Sequence, residues 1–220
     1  MSLLSIRSFT VAAALAAAAA SASALTLPTD FLQANSIQSF SDDALTQYDL
    51  FTITVTPLGN ATATGTTGAY NLPVTSITLN SSLKVTAGTA TGSALEIARM
   101  YHGAKVGVTI ANFKIDFVNH KVLADVTPIG GTTIPQMAVY TFNEAIPLTL
   151  KYKFPLSVTG TQLLDKLFLT PDGITTIAKS LSLPVFAPEL MKTTDFGKID
   201  IIVKVAFRRP VSTKPYVPAY

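Results

Sequence analysis

Two histidines, seven tyrosines and no cysteine are the inventory from which this 220-residue chain could build reactive chemistry. Tyr101 and His102 are adjacent, His120 follows eighteen residues later, and Tyr140 lies in an apolar, strand-like stretch. Tyrosine and histidine both ligate haem iron, so Tyr101, His102, His120 and Tyr140 form one candidate cofactor set. Asp42, Asp43 and Asp49 form another, because clustered carboxylates and backbone carbonyls supply the hard oxygens that calcium takes. Their spacing is not the D-x-[DN]-x-[DN]-G of a calcium loop, and a solvated turn accounts equally well for Asp42-Asp43.

Other reactive arrangements are missing from the sequence. There is no G-x-S-x-G elbow, no Walker loop and no G-x-G-x-x-G. Zinc chemistry would need more ligands than two histidines without a helical H-x-x-x-H pair. A glycosidase needs two carboxylates facing one bond, and adjacent Asp42 and Asp43 point apart. The chain reads as non-enzymatic, with a triad assembled in space as the remaining hydrolase alternative. Basic residues are scattered rather than striped, which argues against nucleic acid.

The elements that must position these side chains are mostly strands. Charged residues make up 13% of the chain, about half the usual share, and threonine and serine replace them as polar residues. Threonine is β-branched and suits a pleated, half-exposed surface. Phe51, Ile53 and Val55 alternate with threonines until Pro57, and Leu58 to Asn71 reads as an irregular Gly/Thr loop. Thr75, Ile77 and Leu79 share a face. Val106 to Ile110, Phe113 to Phe117 and Val122 to Val126 predict a meander turning near Asn119-His120. Met137 to Phe142, Leu148 to Phe154 and Ile199 to Phe207 predict further strands. Three segments read as helical. Ser93-Ala94-Leu95-Glu96 matches a capping box, predicting a helix to about Tyr101 that Gly103 ends. Thr161 to Leu169 reads as a short helix, and Thr170-Pro171 caps another to Leu181. A short helical turn starts at Ser41.

These patterns predict an all-β, mainly antiparallel fold: a β-sandwich of about nine strands with two or three short helices in its connections. Residues 1–24 carry Arg7, an alanine-rich apolar run and Ala22-Ser23-Ala24, the order of a cleaved secretory signal. The expected organisation is a signal over 1–24, one domain over 25–209 and a proline-rich basic tail over 210–220. The apolar run is too short to span a membrane, no lipobox cysteine is present, and no transmembrane anchor is expected. The expected location is periplasmic or extracellular, as a bacterial export substrate. On that reading the acceptor-like triplets Asn60-Ala61-Thr62 and Asn80-Ser81-Ser82 are chance matches.

The stretch Val108-Thr109-Ile110-Ala111-Asn112-Phe113-Lys114-Ile115-Asp116-Phe117, running into Val122-Leu123-Ala124-Asp125-Val126, resembles the HtaA-type domains of secreted haem-uptake proteins. Leu167-Phe168-Leu169-Thr170-Pro171-Asp172-Gly173 extends the resemblance, which covers roughly residues 75–205. The Trp-containing opening of that family is missing, since the chain has no tryptophan. The resemblance implies a β-sandwich with Tyr- or His-based haem binding.

Three functions are therefore expected. The first is an exported β-sandwich that binds a protein, surface or ligand outside the cytoplasm. The second is a haem-binding module of the same fold. The third is a self-assembling extracellular subunit, because thinly charged strand edges are readily extended by another chain.

Overall fold

The computed structural model describes residues 24–29, 33–82, 84–153, 157–204 and 211–220. The expected signal segment lies outside the described residues, except for Ala24. Twelve strands form one sheet in which every pairing is antiparallel. In chain order they are β1 (Leu25–Pro28), β2 (Gln33–Ser39), β3 (Thr54–Gly59), β4 (Thr62–Ala63), β5 (Ala69–Pro73), β6 (Ser76–Leu79), β7 (Val85–Tyr101), β8 (Ala104–Asp116), β9 (Lys121–Pro128), β10 (Ile134–Lys153), β11 (Ser157–Leu169) and β12 (Lys198–Lys204). Helix α1 (Asp42–Leu50) follows β2, while α2 (Pro171–Ser180) and α3 (Ala187–Thr193) join β11 to β12.

The run β7-β8-β9-β10-β11-β12-β2-β5 curls until its two ends meet through the continuous segment that forms β5 and β6. Residues 69–79 pair first with β2 and then with β7. The switch falls at Val74 and Thr75, whose N–H groups donate to Ala34 O (2.8 Å) and Thr89 O (2.7 Å). Strands that change partners at a bend make the corners of such sheets. The all-β antiparallel expectation is met, with the two layers belonging to one curled sheet. Alternate residues face inward, so Ala34, Leu95, Ile97, Val108, Ile110, Val126 and Leu164 are buried together.

Several local expectations are revised by neighbours. Ser93 to Tyr101 is strand, not helix. The capping box has no free N–H groups to serve, because β3 and β8 pair with both edges of this stretch. Thr161 to Leu169 is also strand. Lys166 takes a φ of 52° at a break in the β10–β11 register. Buried positions consequently step from Gln162 and Leu164 to Leu167 and Leu169, and the skipped residue imitates an i, i+3 helical face. Pro57 does not end its strand, since β3 is an edge strand that pairs with β7. Phe51 precedes that strand instead of opening it.

The helix starts read from sequence do hold. Ser41 accepts the Ala44 N–H at 3.0 Å, and Thr170 accepts the Gly173 N–H at 3.1 Å with Pro171 in the first turn.

Candidate functional site

The three helices of the described residues close one end of the curled sheet over an aromatic core. Phe40 meets Tyr48 edge-on at 5.2 Å, and Phe196 lies 6.5 Å from Tyr48 and 6.0 Å from Tyr140. Tyr140 is 2% exposed and hydrogen-bonded to Gln38. Burial pushes its phenol far above the ordinary range, and burial does the same to Tyr48, helped by Tyr140 and Tyr70. Tyr140 is thus a core residue with no open face toward a ligand.

Tyr101 and His102 stand on the outside of this same end. Tyr101 pairs with Ala104, leaving His102 (φ 48°) and Gly103 (φ 79°) as a two-residue hairpin turn. Positive φ at both central residues is the turn that matches strand twist, which explains the glycine that looked like a helix stop. The Tyr101 and His102 rings meet edge-on at 4.2 Å. The Arg99 guanidinium lies 4.9 Å from the Tyr101 ring centre, a cation–π contact. Its Nη1 and Nη2 donate to Phe51 O (3.4 Å) and Ser182 O (3.2 Å), while buried Nε has no partner. Arg99 therefore ties the β7–β8 turn to the end of α1 and to the chain after α2.

Large apolar side chains are exposed across these tied segments: Leu50 (68%), Met100 (63%), Val185 (96%), Phe186 (58%) and Leu190 (42%). Phe51 and Phe186 touch at a centroid distance of 6.2 Å, joining the α1 and α3 sides. Exposed apolar side chains that lie together mark interaction surfaces.

His120 is elsewhere. It sits with φ 51° in the β8–β9 turn, at the opposite end of β8 from His102. Thirteen residues of strand separate the two turns, about 40 Å of chain. No single ligand reaches all four expected residues. His120 lies beside Phe142 at 5.5 Å, and Phe142 meets Phe117 at 6.1 Å. Phe117 also lines an apolar cavity of about 40 Å³ inside the sheet, together with Ala34, Leu72, Ile77, Phe113 and Ile201 among others. On that measure about 10–15 Å³ admits one water, so this space is on the order of a few waters.

The turn carrying His120 is built by Asp116. Its Oδ1 accepts the N–H groups of Val118 and Asn119 at 3.0 Å each, and Asn119 Nδ2 donates to Oδ2 at 2.8 Å. These bonds, the Asn119 side chain first, hold the carboxyl below its ordinary value of 3.8. A carboxylate with a depressed folded pKa stabilises the turn above pH 3.8, and that contribution fades as pH falls through the folded value. Amide exchange at Val118 and Asn119 is therefore expected to accelerate below pH 3.8, and in Asp116→Ala to be fast and pH-independent once corrected for intrinsic chemistry.

Asp42, Asp43 and Asp49 do not meet. Asp42 and Asp43 occupy the first turn of α1, where negative charge favours the helix dipole. Asp49 lies near its other end, about 10 Å along the axis. Among the described residues no three His, Cys, Asp or Glu side chains are grouped so as to hold a metal ion. The helix spreads the three carboxylates proposed for calcium along its length.

A polar arrangement that sequence reasoning passed over is the docking of the C-terminal tail. Residues 211–220 run without helix or strand across the β3–β7–β8 face, bonded to Asn60, Asn112, Thr109 and Thr127. The asparagine of the Asn60-Ala61-Thr62 triplet is thereby committed to Thr91 O (3.1 Å) and Ser212 O (2.7 Å). Nothing in a lone Asn marks such a role beforehand.

Among the described residues no helix is long and apolar enough to cross a membrane. No family model and no curated protein matches the chain. Among solved structures, the crystal structure of the C-terminal domain of HtaA from Corynebacterium glutamicum is similar, at 16% identity and a TM-score of 0.48, over 79% of this chain and 97% of that one.

Proposed function

We propose that the chain is an exported, non-enzymatic binding protein whose contact face is the helix-closed end of its curled sheet. The observation that carries this reading is the exposure of Leu50, Val185, Phe186 and Leu190 on the segments that Arg99 ties to the Tyr101-His102 turn. A flat apolar ring bearing a metal, of the haem class, matches that surface. Tyr101 or His102 would offer the axial donor, the apolar side chains a resting face, and Arg99 a positive charge for acidic ring substituents. Export rests on the order of charge, apolar run and Ala22-Ser23-Ala24.

Titrating the full chain with hemin tests the ligand. A shifted Soret band saturating at one equivalent is expected, with altered position or lost saturation in Tyr101→Phe or His102→Ala and no change in His120→Ala. A spectrum equal to free hemin, or one indifferent to both Tyr101 and His102, would falsify the haem assignment. A band lost only in His120→Ala would move the site to the Phe117–Phe142 rim. Mass spectrometry of the protein recovered outside the cytoplasm should place the mature N-terminus near Leu25.

A further inference from the structure

The tail lies in a site that reads peptide backbone. Asn112 Oδ1 accepts the Tyr216 N–H at 2.8 Å, and its Nδ2 donates to Tyr216 O at 3.0 Å. A side-chain amide that bonds both main-chain groups of one residue does what a neighbouring strand would do. Asn60 repeats the bracket on Ser212, accepting its N–H at 3.3 Å and donating to its O at 2.7 Å. Four residues beyond Tyr216, the Tyr220 hydroxyl lies within hydrogen-bond distance of Thr109 Oγ1 (2.7 Å) and Thr127 O (3.2 Å). Contacts thus recur at 212, 216 and 220, a regular spacing along an extended segment that Pro215 and Pro218 keep from folding.

The body side of this site is built and the strap side is light. Asn112 is 8% exposed, and the buried amide oxygen also accepts the Gly92 N–H at 3.0 Å. Asp125 Oδ2 holds its Nδ2 at 2.8 Å. The residue sits at φ 54° where the β8 registers with β7 and β9 both slip, so a bulge aims its amide at the groove. The floor is glycine: a Cβ on Gly92 would stand 3.0 Å from both Ser212 O and Lys214 O, and one on Gly59 would stand 2.9 Å from the Tyr216 ring. Ser212 to Pro215 are exposed, and Tyr216 is half-buried. Strap binding is main-chain bonding with little apolar burial, which suits exchange.

We propose that the groove between Asn60, Gly92 and Asn112 is a peptide-binding site for an extended Ser-x-x-x-Tyr-x-x-x-Tyr segment, and that the 211–220 strap of a second copy fills it in exchange for the chain's own. The occupant is argued from the tail already seated there, which every copy carries. An empty groove would leave the Asn112 amide buried without its peptide partner, so exchange is favoured over vacancy. This inference does not depend on the haem assignment, which concerns Tyr101 and His102 and none of the groove residues Asn60, Gly92 and Asn112.

Complementation between two full-length variants tests it. Ser212→Pro/Tyr216→Pro removes both strap N–H donors and keeps the groove, while Asn60→Ala/Asn112→Ala keeps the strap and disables the groove. Each alone is expected to run as a monomer, and their mixture to give a one-to-one dimer by light scattering. A labelled peptide of residues 211–220 should bind Ser212→Pro/Tyr216→Pro at least about tenfold more tightly than wild type, whose own strap competes. Should Asn60→Ala/Asn112→Ala not fold, Asn60→Ala alone replaces it. Peptide capture without a mixed dimer overturns the second-copy occupant. Neither signal from variants with native circular dichroism and cooperative melting overturns the site itself.

Discussion

Replacing Tyr140 by alanine is expected to lower the unfolding free energy by about 3–5 kcal/mol, the range for removing a large aromatic from a packed core. Tyr140 heads the largest fully buried side chains, and its ring joins β10 to the Phe196 segment before β12. Tyr140→Phe separates the polar part of this effect. It keeps the ring and strands the Gln38 amide, at a cost of about 1–3 kcal/mol. Urea unfolding of the three proteins at one pH measures both terms. Tyr140→Ala costing no more than Tyr140→Phe would mean that the ring contributes little packing. Alkaline pH provides a second check. Tyr48 and Tyr140 have folded pKa values raised above 10, so the unfolded chain loses protons first. Stability is fully present below pH 10 and declines as pH rises beyond it. The decline should be shallower in Tyr140→Phe.

Asn112→Ala is the second large expectation. The substitution orphans the buried Gly92 N–H, costing about 1–3 kcal/mol, and deletes both bonds to Tyr216. Asp125 keeps Gln136, whose N–H and Nε2 reach Oδ1 at 2.9 and 3.1 Å, so that carboxylate stays partnered. The informative readout is local. Amide protection at Tyr216 should vanish while protection at Val108 and Val126, deep in the same sheet, falls only by the global loss. Equal losses everywhere would show that the tail adds nothing of its own.

How much was legible in the sequence depended on whether both edges of a segment could be foreseen. The β8–β9 meander, its Asn119-His120 turn and the Thr170-Pro171 helix start follow from local alternation and capping, and the structure has all three. Ser93 to Glu96 misled because a capping box is a local pattern, whereas two neighbouring strands decide that stretch. Thr161 to Leu169 misled because one left-handed residue, Lys166, shifts the buried face by one position. At the site, adjacency of Tyr101 and His102 was readable, but their distance from His120 depends on the whole length of β8. The apolar surface beside them comes from three separate segments, which no window of sequence brings together. Asn60 and Asn112 gave no signal because their role lies in a partner about 150 and 104 residues away.

The place of β12 has a consequence for how the chain matures. Lys198–Lys204 lies between β11 and β2, pairing Lys198 with Ser39 and Lys204 with Gln33. The earliest long strand therefore waits for the last one before both of its edges are occupied. Contacts of such high sequence separation form late, because the intervening loop must close first. A polypeptide threading outward from its N-terminus cannot finish this sheet until residue 204 has emerged. The architecture thus delays compaction, holding the sheet incomplete until its last strand is in place.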